Sequence, residues 1–322
     1  MSVVLTIAIP TFNRRPRLQR CLITLMEQVA GKPVELLVSD NASSDDTQPF
    51  MEAFCLEHPE VTYIRNPENI GPDKNFLNCY NCASGEYVLL LGDDDVFLPG
   101  AIDAIIEALR RKPVMLHLNT CNILSQEPLS YNAPRYPEGD MLILKDATDM
   151  LETMGIFVTF MSSFILRNDL VREVENKEQY IGTYFIQSHI ALKTMRAEGE
   201  YIFVRKNCLA ASGNETVTYD VYYVWGRMYG QLLNGTAVSA GMDPERVRRQ
   251  HRKDLGSMIP TFIKTYRKSC EGSDQWDKEG ILSQVRPYPI QYLKFWALVN
   301  LPVPVVDFII NVKSHFKKQE PV

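Results

Sequence analysis

Three consecutive aspartates, Asp93, Asp94 and Asp95, follow an apolar stretch in the sequence EYVLLLGDDDVFLPGAI. Carboxylates this close repel one another, and the pKa of at least one of them should rise unless a cation lies nearby. Mg²⁺ and Mn²⁺ prefer hard oxygen ligands and take one or two carboxylates together with water and phosphate oxygens. The cluster therefore predicts a divalent metal site, although an acidic loop that caps the next helix explains these three residues equally well.

Polar residues also follow three other apolar stretches, in the sequences PTFNR, SDNASSDDT and NPENIGPDKN. Asp40 and its neighbours suit hydrogen bonds to a ribose or a base edge, Gly71 allows a close backbone approach, and Lys74 is a cation for a phosphate or a base. The candidate ligand-binding residues of these stretches are Pro10, Thr11, Asn13, Arg14, Asp40, Asn41, Ser43, Gly71 and Lys74. Together with the aspartates, they favour a site for a nucleotide and its phosphates.

The elements that must position these residues alternate between strand and helix over the first 120 residues. Apolar, β-branched stretches predict strands at residues 3–10, 34–40, 61–66, 86–92 and 114–119. Apolar residues at helical spacing predict helices at residues 17–29, 44–58, 72–83 and 98–111. This alternation predicts an α/β fold with a mainly parallel sheet covered by helices on both sides. Because ligands of such folds bind at the carboxyl ends of the strands, the four polar loops should converge on one crevice.

The later part of the chain is less regular. After residue 120 the alternation fades, and residues 121–214 are interpreted as the acceptor-facing half of one catalytic domain that covers residues 1–214. From residue 215 the pattern is helical up to an apolar, proline-rich C-terminus, which predicts a separate helical region at residues 215–322.

Composition excludes some classes of protein. The formal net charge of -5 argues against a general nucleic-acid binder. The seven cysteines are odd in number and scattered, which favours a reducing, cytoplasmic setting over a disulfide framework. Cys79 and Cys82 form a CxxC motif, but no second pair completes a zinc set, and the spacing also suits one face of a helix. The N-terminal segment lacks the basic and long apolar regions of a signal peptide.

The four motifs over residues 3–102, in this order and spacing, resemble the nucleotide-sugar-binding half of family 2 glycosyltransferases of the GT-A fold. The forms that three of these motifs take in this chain, SDNAS, NIGPDKNF and GDDD, are most similar to those of abequosyltransferase-type O-antigen enzymes. The resemblance implies transfer of a sugar from a nucleoside-diphosphate sugar, such as a CDP-linked or other deoxyhexose. The acceptor would be a hydroxyl of a lipid-linked O-antigen or other surface-polysaccharide precursor, and Mg²⁺ or Mn²⁺ would stabilise the departing diphosphate.

The resemblance also implies roles for the nucleotide-binding residues. Thr11 and Asn13 would line the nucleotide pocket, Asp40 would contact the base, and Lys74 would contact the nucleotide.

The resemblance implies different roles for the three aspartates. Asp94 would meet the ribose, while Asp95 and, as a second ligand, Asp93 would hold the metal. Many family members carry Asp where this chain has Gly92, so the motif is shifted here.

The base that deprotonates the acceptor hydroxyl is the least defined part of the predicted site. Inverting family members often carry a Glu-Asp pair where this chain has Gln187 and Ser188. His189 is the titratable group nearby, and its ordinary pKa of about 6.5 suits a base, but a single histidine in an apolar helix is more often a packing residue. Asp169 and Glu215 are remote alternatives, and a retaining mechanism remains open.

The C-terminal region mixes aromatic and aliphatic residues with lysines, including Lys313, Lys317 and Lys318. This mixture predicts peripheral contact with the cytoplasmic face of the inner membrane, whereas a packed helix with a solvated basic end is the simpler alternative. Residues 295–312 are the longest apolar stretch, but prolines and polar residues interrupt it, which argues against a spanning helix. The basic segment at residues 244–268 could face the diphosphate of a lipid-linked acceptor.

Two other functions compete with sugar transfer. A sugar-1-phosphate nucleotidyltransferase would share the sheet and the metal, but it usually opens with a glycine-rich phosphate loop, and IAIPTFNRRPRL contains no glycine. A nucleotide-sugar or carbohydrate-binding module that has lost catalysis is consistent with the displaced base.

Overall fold

The computed structural model describes residues 2–126, 129–213, 219–266, 277–302 and 304–306. Its strands, in chain order, are β1 (Leu5–Thr11), β2 (Val34–Asp40), β3 (Val61–Arg65), β4 (Tyr87–Leu90), β5 (Val96–Phe97), β6 (Met115–Gln126), β7 (Leu129–Tyr131), β8 (Leu142–Leu144), β9 (Phe164–Arg167) and β10 (Tyr201–Ala211). Its α-helices are α1 (Arg15–Val29), α2 (Thr47–Glu57), α3 (Pro72–Cys82), α4 (Ala101–Leu109), α5 (Ala147–Met154), α6 (Asn168–Glu173), α7 (Ile186–Thr194), α8 (Tyr229–Gln231), α9 (Pro244–Gly256), α10 (Met258–Tyr266), α11 (Lys278–Val285) and α12 (Pro289–Asn300). Short 3₁₀ turns cover Gly155–Thr159, Met161–Ser163 and Lys177–Tyr180, and π-helical turns cover Tyr223–Met228 and Leu232–Ala237.

The strands form a sheet in the order β3-β2-β1-β4-β9-β6-β10-β5, with β7 paired to β6 and β8 paired to β10. Strands β1 to β4 pair in parallel, whereas β9 runs antiparallel between β4 and β6. The predicted α/β fold is confirmed, and the strands and helices predicted for the first 120 residues are all present. The sheet is mixed: β3, β2, β1 and β4 pair in parallel, as do β6 and β10, whereas the other described pairings are antiparallel.

Helix α1 and helix α4 pack on the sheet through apolar residues that follow the helical period. The buried residues of α1 are Leu18, Cys21, Leu22, Leu25 and Val29. Those of α4 are Ala101, Ile102, Ile105, Ala108 and Leu109. Burial of one large aliphatic side chain contributes about 1.5–3 kcal/mol, so this packing fixes where each helix begins relative to the strand before it.

The chain divides into two compact units. The first comprises residues 1–214 and 236–243, and the second comprises residues 215–235 and 244–322. The segment 236–243 therefore belongs with the sheet, although the sequence groups it with the C-terminal helices.

The second unit is helical. Its α10 packs against α9 and α12, and its π-helical turn Tyr223–Met228 packs against α11. That contact requires glycine at position 226, because a Cβ there would lie 2.5 Å from the Cβ of Ile281. None of the helices in the described ranges is both long enough and apolar enough to cross a membrane.

Candidate active site

The loops after β1, β2 and β4 begin at the same edge of the sheet. In the parallel pairing of β1 with β2, Thr11 lies opposite Asp40, and each is the last residue of its strand. Strand β4 pairs with the other side of β1 and ends at Leu90, three residues before Asp93. Hydrogen bonds between these loops bring together the side chains that the sequence predicts for one crevice.

Asp93 is buried and contacts the loop after β1. Its Oδ2 accepts a hydrogen bond from Oγ1 of Thr11 at 2.8 Å, and its Oδ1 accepts one from Nη1 of Arg14 at 3.1 Å. Burial raises the pKa of Asp93, and the Arg14 guanidinium opposes that rise. Both oxygens of Asp93 are therefore already engaged by residues of this chain.

Asp94 faces two arginines. Its Oδ2 lies 3.1 Å from Nη1 of Arg17 and 3.6 Å from Nη1 of Arg14. Arg17 was not among the predicted site residues, although its position three residues after Arg14, in the first turn of α1, could have indicated it. The two arginines offset part of the negative charge of the loop.

Asp95 is enclosed by protein. Its Oδ2 accepts a hydrogen bond of 2.6 Å from Oγ of Ser162, and its Oδ1 accepts one of 2.9 Å from the backbone N–H of Ser212. The Ser162 hydroxyl also accepts a bond from the backbone N–H of Gly92. Burial, followed by the charge of Asp94, raises the pKa of Asp95 to about 7. At neutral pH this carboxyl is therefore close to its titration midpoint.

The absence of a side chain at Gly92 makes room for two carboxylates. A Cβ at this position would lie 2.8 Å from Oδ2 of Asp95 and 3.3 Å from Oδ1 of Asp94. Asp94, which the sequence predicts as a ribose contact, therefore shares this space with Asp95. The described residues contain no group of three or more His, Cys, Asp or Glu that could hold a metal ion. Mg²⁺ bound to a diphosphate needs only one or two carboxylates, and it would relieve the raised pKa of Asp95. Of the predicted ligands Asp93 and Asp95, both already use both oxygens as hydrogen-bond acceptors, so either would have to exchange one of these bonds for the metal. Asp94 is the most exposed of the three aspartates, and its carboxylate could join Asp95 at such an ion.

Asp40 is fully buried at the end of β2. Its Oδ1 accepts a hydrogen bond from the backbone N–H of Ser43 at 2.8 Å, and its Oδ2 accepts one from the Tyr63 hydroxyl at 2.8 Å. Nε of Arg65 lies 3.5 Å from the same Oδ2. Tyr63 and Arg65 were not predicted for the site, although they are alternate residues of β3, the strand next to β2, and so face the same side of the sheet.

Asn13 joins the loop after β1 to the loop after β2. Its backbone N–H donates to Oγ of Ser43, and its side-chain oxygen accepts from the backbone N–H of Ser44 at 2.7 Å. It has a φ of +53°, in the left-handed region that Asn tolerates better than most residues. Asn13 therefore holds the two loops together.

A network of amide side chains fixes the loops after β2 and β3. Oδ1 of Asn41 accepts hydrogen bonds from Nδ2 of Asn66 and from the backbone N–H of Ile70. The other side chains of this network are Ser39, Asn69, Asn75 and Asn78.

The remaining predicted nucleotide contacts differ in exposure. Gly71, with a φ of +82°, precedes the first residue of α3, and Lys74 in its first turn is exposed. Pro10 lies inside β1 and is buried.

Helix α7 carries the residues considered for the base. Gln187 donates from Nε2 to the carbonyl of Thr159, and Ser188 is fully buried. Nδ1 of His189 lies 2.7 Å from Oγ1 of Thr236, its ring stacks on Tyr180, and its Nε2 is buried with no hydrogen-bond partner. Burial lowers the pKa of His189 to about 4. The ring is therefore neutral at pH 7, as a base requires, but enclosed, as in a packing residue.

The other candidates lie elsewhere. Asp169 pairs with Arg167 at 2.8 Å, and Arg167 lies opposite the first residue of β4, at the far edge of the sheet from the aspartates. Glu215 lies outside the described residues. Cys79 and Cys82 are free thiols on α3, the first buried and the second exposed.

A family model for glycosyl transferase family 2 matches residues 6–172, just over half of the chain. The chain belongs to this family. The matched region contains all the loops of the crevice, and it ends in α6, before the helix that carries His189.

Two relatives of this family 2 chain are named for their activities. The abequosyltransferase RfbV of Salmonella typhimurium is 23% identical over 210 residues, which are 61% of this chain and 62% of the relative. The GalNAc(5)-diNAcBac-PP-undecaprenol beta-1,3-glucosyltransferase of Campylobacter jejuni is 35% identical over 104 residues, 32% of this chain and 33% of the relative. The chain thus spans less than two thirds of either relative.

Solved structures share the fold of this family 2 chain. S. aureus TarS in complex with UDP-GlcNAc has a TM-score of 0.62 at 13% identity, covering 94% of this chain and 83% of TarS. The mannosyltransferase PcManGT of Pyrobaculum calidifontis, in complex with GDP-Man and Mn²⁺, has a TM-score of 0.53 at 16% identity, covering 93% of this chain and 86% of PcManGT. The predicted GT-A fold is confirmed.

Proposed function

We propose that the protein transfers a sugar from a nucleoside-diphosphate sugar to a hydroxyl of a lipid-linked surface-polysaccharide precursor. The convergence of Asp93, Asp94 and Asp95 with the loops after β1 and β2 carries this proposal. The family, and the donor sugars named for the two similar structures, support a nucleotide-sugar donor. The PP-undecaprenol compound in the name of one relative supports a lipid-linked acceptor.

Each loop of the crevice would contribute a separate part of donor binding. Asp40, which the sequence predicts as a contact of the base, has no exposed surface and both its oxygens accept hydrogen bonds, so it would act on the base through the Ser43 loop and Tyr63 that it holds in place. Arg14, Arg17 and the exposed Lys74 would attract the diphosphate. Asp94 and Asp95 would hold a divalent ion, which as a Lewis acid stabilises the charge on the leaving diphosphate.

Donor binding is the direct test. A panel of UDP-, GDP-, CDP- and dTDP-sugars, each with and without Mn²⁺, is assayed by thermal shift and by release of the nucleoside diphosphate. We expect one donor class to bind in a Mn²⁺-dependent manner. Asp95→Asn should weaken that binding at least tenfold, since removal of a charged metal ligand costs more than about 1.4 kcal/mol.

Asp103→Asn is the matched control, because Asp103 is an exposed aspartate of α4 that pairs with Lys32. It should leave donor binding unchanged. Binding of no nucleotide sugar, or Mn²⁺-dependent binding that survives Asp95→Asn, would contradict the proposed function. Formation of a nucleotide sugar from a sugar 1-phosphate and a nucleoside triphosphate would instead identify a nucleotidyltransferase.

We also propose that the second unit contacts a membrane surface. Ile290, Leu293 and Trp296 lie along one side of α12, and all three are exposed. In the same unit, α9 exposes a row of basic side chains, and the guanidinium of Arg252 lies 5.9 Å from the centre of the Tyr288 ring, next to the start of α12. Apolar residues beside cations suit the interface of an anionic membrane. Lys313, Lys317 and Lys318 lie outside the described residues.

A further inference from the structure

The loop at residues 181–184, just before α7, has an unusual backbone. Gly182 has a φ of +87°, and Tyr184 has a φ of +63°. The left-handed region brings the Cβ of a residue such as tyrosine too close to the backbone, so it persists only where other contacts hold it. Strain of this kind is concentrated at functional sites, and it directs attention to what Tyr184 does.

Asp73 holds this loop in place. It is a buried residue in the first turn of α3, next to Lys74. Its Oδ2 accepts a hydrogen bond from the backbone N–H of Gly182 at 2.6 Å, and its carboxylate also accepts one from the backbone N–H of Tyr184. Because α3 follows β3 along the chain, its N-terminus lies at the carboxyl edge of the sheet. Asp73 thus fixes the loop to the same edge as the candidate donor site.

Tyr184 is 43% exposed although hydrogen bonds to Asp73 hold its backbone. Tyrosine presents a rigid ring face and a hydroxyl, and it loses little conformational entropy on binding. The ring face suits the C–H face of a pyranose, and the hydroxyl suits a sugar hydroxyl. We propose that Tyr184 is the platform on which the acceptor sugar stacks and that Asp73 is the residue that positions it. This assignment rests on the proposed glycosyltransferase function.

The test uses the full chain, the donor identified in the panel and a set of p-nitrophenyl glycosides as acceptor probes. Tyr184→Ala should raise the KM for the glycoside about tenfold and leave the rate of donor hydrolysis, measured without acceptor, unchanged. Tyr184→Phe keeps the ring face but loses the hydroxyl, and it should raise the KM less than Tyr184→Ala does. Tyr131→Ala is the matched control, since Tyr131 is also 43% exposed but lies on β7.

Asp73 is tested as a positioning residue by a double-mutant cycle. Asp73→Asn retains one acceptor oxygen and should raise the acceptor KM less than Asp73→Ala, which removes both acceptors and should raise the acceptor KM as Tyr184→Ala does. Because both changes remove one platform, the double variant should be no worse than either single variant.

The outcomes separate this inference from the proposed function. An acceptor KM unchanged in Tyr184→Ala, additive effects in the cycle, or hydrolysis of the donor with transfer to none of the glycosides would each overturn the platform. Failure of every nucleotide sugar to bind would overturn the proposed function instead.

Discussion

At the scale of single residues, the negative charge of the acidic loop explains why arginines lie beside it and why the pKa of one of its carboxyls is raised. The sequence predicts that a cation must face three adjacent aspartates, and the structure provides two arginines, Arg14 and Arg17, beside Asp93 and Asp94. Asp95 lies beyond them, and burial leaves its pKa at about 7. It is therefore the aspartate whose charge should respond most to a bound metal.

The first prediction concerns the pH dependence of that carboxyl. Only the ionised form binds a metal, so Mn²⁺-dependent donor affinity should fall about tenfold for each pH unit below pH 7 and level off above it. The hydrogen bond from Ser162 lowers the pKa of Asp95, and its removal in Ser162→Ala should move the midpoint to higher pH. Isothermal titration calorimetry from pH 6 to 9 would measure both effects.

Ser163→Ala is the control for this prediction. The Ser163 hydroxyl donates to the backbone carbonyls of Phe157 and Phe160 and has no bond to an aspartate. It should keep the midpoint of the unmodified chain. Equal midpoints in the two serine variants would refute the role assigned to Ser162.

The second prediction concerns Gly92. In Gly92→Ala the added Cβ would displace the carboxylates of Asp95 and Asp94, because it would lie 2.8 Å and 3.3 Å from their oxygens. Donor turnover should fall at least tenfold, since a shift of about 1 Å in a catalytic group has effects of this size or larger. Gly235→Ala is the control, because a Cβ at Gly235 meets nothing within 4 Å. Equal turnover in both variants would contradict the packing described for Gly92.

Sequence could predict only part of this site. The acidic loop and the loops after β1 and β2 are visible because polar residues follow apolar strands. Ser162 carries no such signal, since it lies in a 3₁₀ turn 67 residues from Asp95 and only folding brings them together. Tyr63 and Arg65 could have been found from the period of β3, once the pairing of β3 with β2 was known.

At the scale of elements, the predictions succeed where an apolar repeat continues over many residues, and they fail where a strand is too short to show one. The regular strands and helices up to β6 have clear apolar repeats. Strand β9 has four residues, FILR, so its periodicity could not indicate that it enters the sheet antiparallel between β4 and β6. Helix α7 shows the converse problem, because all but one of its residues are buried and no polar face reveals which side meets a ligand.

The third prediction concerns His189 of α7. Burial lowers its pKa in the folded state to about 4, below the ordinary value of 6.5, so between these values the unfolded chain binds a proton that the native chain does not. The free energy of unfolding should therefore fall as pH falls through this window, and His189→Asn should flatten that slope by up to about 1.4 kcal/mol per pH unit. Chemical denaturation at a series of pH values would measure the slope.

His58→Asn is the control, because His58 is a partly exposed histidine at the end of α2. An unchanged slope in His189→Asn would contradict the burial argument. The same variant tests the predicted base role, which requires a loss of transfer of about a hundredfold or more where the protein remains folded.

At the scale of the whole molecule, charge and apolar surface are unevenly distributed. The acidic loop belongs to the first unit, whereas the exposed basic side of α9 and the apolar side of α12 both belong to the second. A lipid-linked acceptor would require an enzyme that works beside a membrane, so a separate membrane-contacting unit would be consistent with the proposed reaction.

The fourth prediction tests that surface. Ile290 is 69% and Leu293 is 68% exposed, and insertion of each side chain into the interface would contribute about 1.5 kcal/mol or more. The double variant Ile290→Ser, Leu293→Ser should therefore lower the partition of the full chain onto phosphatidylglycerol-containing vesicles at least tenfold in flotation assays.

Leu56→Ser is the control, because Leu56 is 86% exposed but lies on α2 of the first unit. Added salt should weaken binding of the unmodified chain, since exposed cations of α9 would contribute a screened attraction to the anionic lipid. A partition that neither the double variant nor salt changes would show that this surface does not face the membrane.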